Sequence, residues 1–151
     1  MILLDYSQIA LSNIIVQKLN DEDMIRHMIL NSIRMYNKKY RKEYGQMVIC
    51  ADGSGYWRKD YFPEYKGMRK KNRKESDQDW GEIFRILNLV REELKENFPY
   101  KVIHIDGCEA DDVIGTLTMN TQEFGQHEPV MIISSDKDFI QLHKYNNVKQ
   151  Y

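Results

Sequence analysis

"VMIISSDKDFIQL", residues 130–142, sets four apolar residues and two serines ahead of two aspartates that flank one lysine. A short, continuous apolar run reads as a strand buried on both faces. Its end in Asp136-Lys137-Asp138 needs a separate cause, because a core gains nothing from carboxylates. Two other runs finish the same way: "ILLD" at Asp5 and "MVICAD" at Asp52. In a parallel sheet the carboxyl ends of the strands share one edge, where ligands collect. Asp5, Asp52, Asp136 and Asp138 are therefore expected to converge.

The rest of the chain supplies the elements such a sheet requires. Ile25, Met28, Ile29, Ile33 and Tyr36 recur at helical spacing within residues 22–44, and Gly45 is a natural terminator. Ser76 with Asp79 resembles a capping box, opening a helix whose apolar face is Trp80, Ile83, Phe84, Leu87, Val90 and Leu94. "KVIHI" (101–105) reads as a third strand, and residues 109–124 as a helix closed by Gly125. Asp106 ahead of Gly107 reads as a turn. "DFIQLH" suggests a helical turn, and "VKQY" the start of a fifth strand, so that a fragment of a longer protein is expected. The alternation of strand and helix predicts an α/β fold, a mainly parallel sheet covered by helices on both faces.

The 151 residues suffice for one domain with a sizeable core. With 22 basic and 23 acidic residues, net charge identifies no partner, so the charge distribution has to. Cys50 and Cys108 lack metal-type spacing and read as reduced thiols. No apolar stretch reaches membrane-spanning length, and because Asp5 interrupts the first apolar residues and no basic region precedes them, no signal peptide is expected. A cytoplasmic protein is expected.

"CEADDVIG" adds Glu109, Asp111 and Asp112 at the start of a helix. Glu109 and Asp112 share a face, and Asp111 lies about 100° round from Asp112. Two charges about 5 Å apart repel by roughly 3 kcal/mol even at an effective dielectric of about 20. Such a cluster holds protons or binds cations. All-oxygen donors favour Mg²⁺, with Mn²⁺ an alternative, over zinc. Two such ions about 4 Å apart would activate water and stabilise the leaving oxygen of a phosphodiester. First-turn acids also offset the helix macrodipole, which alone would explain any one of Glu109, Asp111 and Asp112; Asp112 is the least secure ligand, since its neighbour can do the work and leave it behind the ligands.

A second concentration of signal is "GYWRKDYFPEYKGMRKKNRK" (55–74), where Lys66, Arg69, Lys70, Lys71, Arg73 and Lys74 follow Tyr56, Trp57, Tyr61, Phe62 and Tyr65. Cations neutralise phosphates and aromatic faces stack on bases. Arg58 and Tyr65 join this candidate nucleic-acid surface, although Trp57 and Phe62 also suit a core. Arg34, Lys38, Lys39, Arg41 and Lys42 form another basic run at a helix end, adequately explained by the macrodipole and by solvation.

"LLDYSQIALS", "SGYWRKDYFPEYKG", "EADDVIGTL" and "ISSDKDFIQLHKY" together resemble the flap endonuclease and 5′-to-3′ exonuclease superfamily, in particular its phage RNase H group. The resemblance covers nearly the whole chain. It implies a PIN-like 5′-nuclease catalytic domain over residues 1–151, removing RNA primers and 5′ flaps during DNA replication. It implies a first metal site of Asp5, Asp52, Asp111 and Asp136, with Glu109 and Asp112 close by and Asp138 leaning toward a second ion. It implies an arch-like segment at about 55–75, in which Lys66 and an arginine steady the scissile phosphate. Both Arg69 and Arg73 are offered, and Arg69 is preferred. The family's further aspartates and helix-hairpin-helix region are absent from these residues, which would leave the second ion under-liganded. Implied partners are flap and nicked DNA, RNA–DNA hybrid, a sliding clamp and a single-strand-binding protein. A non-catalytic nucleic-acid-binding module is the main rival. An Asp-nucleophile phosphatase ranks last, since Asp5-Tyr6-Ser7 lacks the second aspartate two residues on.

Overall fold

The structure, a computed structural model, describes residues 1–17, 21–53, 80–122 and 128–151. Five strands make one sheet in the order β3-β2-β1-β4-β5, and every neighbouring pair is parallel. They are β1 (Ile2–Asp5), β2 (Met47–Ala51), β3 (Lys101–His104), β4 (Val130–Ile133) and β5 (Val148–Gln150). The helices are α1 (Tyr6–Gln17), α2 (Glu22–Tyr44), α3 (Trp80–Asn97) and α4 (Ala110–Asn120), with a 3₁₀ helix at Lys137–Lys144.

The continuous apolar runs serve two cores at once. Ile2 and Leu4 of β1, Met47, Ile49 and Ala51 of β2, and Met131 and Ile133 of β4 face a cluster that α1, α2 and α3 complete. Leu3, Val48, Cys50, Val130 and Ile132 alternate with them onto the other face, against Ala110, Val113 and Ile114 of α4 and Phe139 and Leu142 of the 3₁₀ helix. Period-two alternation inside an all-apolar run is what a sheet covered on both faces demands. The edge strands carry the polar residues instead: Lys101 and Lys149 are exposed, a charge placement that discourages edge-to-edge pairing.

The strand order reverses at β1, which lies between β2 and β4. That switch point opens a crevice beyond the carboxyl ends of β1 and β4. Buttresses hold it in shape. The Tyr6 hydroxyl donates to the Leu87 carbonyl at 2.6 Å, fixing the start of α1 on α3. Gly53 passes so close to the loop after β3 that a Cβ there would lie 1.9 Å from the Ile105 carbonyl oxygen. Its N–H donates to the Cys108 carbonyl at 2.7 Å.

Helix α2 ends as expected at Gly45, whose φ of 86° suits glycine. Asp106 and Gly107 form a turn, Gly107 at φ 81°. Helix α4 is shorter than the expected 109–124, ending at Asn120; Gly125 and the Ser76–Asp79 cap lie outside the described residues. The strand expected over 101–105 stops at His104, leaving Ile105 exposed. Helix α1 is an element that the apolar spacing of the sequence did not announce.

Candidate metal centre

Asp5 closes β1 and is only 6% exposed. The Ser134 hydroxyl donates to its Oδ2 at 3.0 Å. Burial pushes its carboxyl up to about 6; the Ser134 bond opposes this, and the charges of Asp52 and Asp136 add to it. Asp52 follows β2 directly, and its Oδ1 accepts the Ala110 N–H at 2.7 Å. That bond satisfies an orphan donor at the start of α4 and ties the helix to the sheet edge.

Glu109 occupies the N-cap of α4 in extended conformation and is 3% exposed. Asp111, half-buried in the helix's first turn, is pushed up to about 7, first by burial and then by Asp5, Asp136 and Glu109. Asp136 caps the 3₁₀ helix: its Oδ1 accepts the Asp138 N–H at 2.9 Å. Its own N–H donates to Ser134 Oγ at 3.1 Å. Oxygens of Asp111, Asp136 and Asp138 all lie within 4.8 Å of one another. Asp112 turns back on its own helix, its Oδ2 accepting the Glu109 N–H at 3.1 Å.

Five of the seven carboxylates singled out in the sequence are thus brought together: Asp5 feels the charges of Asp52 and Asp136, and Asp111 those of Asp5, Asp136 and Glu109. Asp138 joins through the oxygen cluster, and Asp112 serves the helix cap. Arg58, Tyr65, Lys66, Arg69, Lys70, Lys71, Arg73 and Lys74 lie outside the described residues. Ser134 was missed: it bridges Asp5 and the Asp136 N–H, so it fixes β1 against the turn after β4. The signal was a small hydroxyl residue between a buried strand and its terminal acid. Gln150 was missed too; its amide donates to the Ser134 and Asp136 carbonyls at 2.6 and 2.9 Å.

The donor set suits a hard divalent cation. All the groups are carboxylates, and two of them, Asp5 and Asp111, are pushed toward protonation first by burial and then by the neighbouring acids. A cation would supply a counter-charge.

Fold and crevice together define a parallel-sheet α/β domain with an acidic cleft at its topological switch point. Residues 3–151 match the family model of the 5′-3′ exonuclease N-terminal, resolvase-like domain, and the chain belongs to that family. It is 46% identical to the ribonuclease H of Enterobacteria phage T4 over 156 aligned residues, covering 99% of this chain and 50% of that protein. It is 32% identical to a 5′-3′ exonuclease of Buchnera aphidicola, covering 82% of this chain and 39% of the relative. The chain spans about half, or less, of the length of these relatives. Among solved structures, the T5 5′-exonuclease with bound divalent zinc ions superposes with a TM-score of 0.74 at 21% identity, over 100% of this chain and 54% of that one. A bacteriophage T5 flap endonuclease in a pseudo-enzyme–product complex with DNA and metal ions gives 0.73 at 22%, over 99% and 53%. At these identities the structural likeness concerns the fold, which is the expected one. None of the described helices is long and apolar enough to cross a membrane.

Proposed function

We propose that this chain is the N-terminal catalytic domain of a divalent-metal-dependent 5′-to-3′ exonuclease and flap endonuclease, one that removes RNA primers and 5′ flaps during DNA replication. The observation that carries the reading is the convergence of Asp111, Asp136 and Asp138 within 4.8 Å, beside the buried Asp5, at the switch point of a family nuclease sheet. Its substrates are DNA flaps, nicked duplex and RNA–DNA hybrid. The names of its relatives, a ribonuclease H and 5′-3′ exonucleases, support that choice. A sliding clamp and a single-strand-binding protein are its proposed replication partners, and the cytoplasm its place.

Mg²⁺ is the proposed cofactor, Mn²⁺ the alternative, held as two ions. Asp5, Asp52, Asp111 and Asp136 would surround the first, with Glu109 and Asp112 close by, and Asp138 would lean toward the second. When bound, the ions supply Lewis-acid activation of water and charge neutralisation at the phosphodiester. The protein's own residues do the positioning. Ser134 holds the Asp5 carboxylate in one orientation by its hydroxyl bond. Asp111, its carboxyl pushed up to about 7 by burial and then by Asp5 and Asp136, takes up and gives up a proton near neutral pH at the mouth of the site. Asp52 sets the height of α4, and hence of Asp111, through the Ala110 N–H. Lys66 and Arg69, with the cations and aromatics of 55–74, are proposed to draw the polyanion toward the acids and steady the scissile phosphate.

The test is cleavage of a 5′-labelled flap substrate in Mg²⁺, in chelator, and by Asp136→Asn. Cleavage is expected only from the parent protein with metal. Cleavage that survives chelation and the substitution would rule out metal catalysis by these acids.

A further inference from the structure

Most arginines on the flank formed by α2 and α3 are matched by acids. Arg26 reaches Glu93 at 2.9 Å, and Arg85 meets Glu82 and, at 3.6 Å, Glu22. Lys39 lies over the rings of Tyr40 and Tyr151, at 5.2 and 4.5 Å from their centroids. Arg34, Lys38, Arg41 and Lys42 differ. No carboxylate among the described residues lies within ion-pair distance of any of them. All four line one concave groove of about 1060 Å³, bounded by the start of β2 and by Tyr100 ahead of β3.

Helical geometry explains the grouping. At 100° per residue the four positions fall within an arc of about 100°, whereas Glu43 points to the far side from Arg34. Arg34, Lys38 and Lys42 also climb the helix in steps of about 6 Å, a row suited to successive phosphates on one strand. The macrodipole favours cations only in the last turn. That covers Arg41 and Lys42 of a helix ending at Tyr44; for Arg34 and Lys38 it leaves solvation alone, which accounts for their exposure but not for their alignment along one groove. Tyr100 on the groove wall continues outward into an aromatic platform: Phe98, 39% exposed, stacks on it with ring planes 9° apart. Cations in a row beside an exposed flat ring are the elements of a single-strand site.

We infer that this groove, on the amino-terminal edge of the sheet, binds a single nucleic-acid strand through its phosphates, with Phe98 and Tyr100 stacking on a base. It lies the length of β2 away from the acid crevice, roughly 15 Å for a five-residue strand. It is therefore a separate site, and it does not depend on the nuclease reading.

Binding of a fluorescein-labelled thymidine oligonucleotide, followed by anisotropy in chelator so that no cleavage intervenes, tests it. The variant R34Q/K38Q/R41Q/K42Q is expected to lose at least tenfold in affinity near 0.1 M salt. Its log–log salt slope becomes shallower by about 2–3, at about 0.7 for each phosphate no longer neutralised. Phe98→Leu should weaken the oligonucleotide several-fold while leaving inorganic polyphosphate binding unchanged. Lys39→Gln, on the same helix but outside the groove, should stay within twofold of the parent. An unchanged slope in the fourfold variant, with its helical circular dichroism intact, overturns the inference. So does displacement of the oligonucleotide by poly-glutamate at equal charge concentration, which would make the groove a site for acidic polypeptide.

Discussion

Replacing Asp5 by asparagine measures the electrostatic load of the acid crevice directly. The carboxyl is displaced from 3.8 to about 6 in the fold. At 1.36 kcal/mol per unit, ionising it there is about 3 kcal/mol less favourable than in the unfolded chain. The sign follows from the direction. With the folded value raised, the folded state retains the proton longer, so this contribution is full below about pH 4 and is lost as pH rises through 6. Asparagine is nearly isosteric, cannot ionise, and still offers an oxygen to the Ser134 hydroxyl. In chelator, D5N should be the more stable protein at pH 8, by about 3 kcal/mol. Its advantage should shrink by roughly 1.5 kcal/mol on going to pH 5, where folded Asp5 is already mostly protonated. Urea unfolding of both proteins at pH 5, 6, 7 and 8 gives the two curves. A variant no more stable than its parent at pH 8, or a gap indifferent to pH, would refute the electrostatic account of the crevice.

The other expectations concern the same edge. Because Asp111 is pushed up to about 7, Mg²⁺ binding should release protons and tighten as pH rises from 5.5 to 7.5; calorimetry in buffers of different ionisation enthalpy would expose a flat response. Asp111→Asn should abolish most Mg²⁺ binding, whereas Asp112→Asn should leave affinity within a few-fold and lower stability by about 1 kcal/mol through the weakened helix cap, both read by titration and thermal melting. Gly53→Ala forces a methyl onto the Ile105 carbonyl and should destabilise the domain by about 3 kcal/mol. Gly115 has open space around it, so Gly115→Ala should raise stability by about 0.5–1 kcal/mol, and thermal melts compare the two.

What could be read from the sequence was whatever the strands dictated. β1, β2 and β4 are all-apolar runs that stop at an acid or a serine, so their length, burial on both faces and shared edge followed together. Helices α2 and α3 carry apolar stripes at a clean helical period. Helix α1 escaped because "YSQIALSNIIVQ" scatters apolar residues around the axis and follows Asp5 with no intervening turn. A helix packed on several sides needs no polar face, so it leaves no stripe. The acids were legible as a group, but their individual duties were not. Asp52 anchoring α4 through the Ala110 N–H, and Ser134 bridging Asp5 to Asp136, are long-range pairings that no local pattern encodes. The short α4 reflects a similar limit, since apolar spacing continues to Phe124 while the regular helix ends at Asn120.

Cys50 pairs in register with Asp5, is wholly enclosed, and has its thiol pushed up to about 12 by burial and by Asp5. It can therefore be alkylated only in the moments when β2 breathes away from its neighbours. The chain carries its own stopwatch under the acid crevice. Slower modification of Cys50 in Mg²⁺ than in chelator, with the half-buried Cys108 as internal reference, would report how firmly a bound ion clamps the sheet shut.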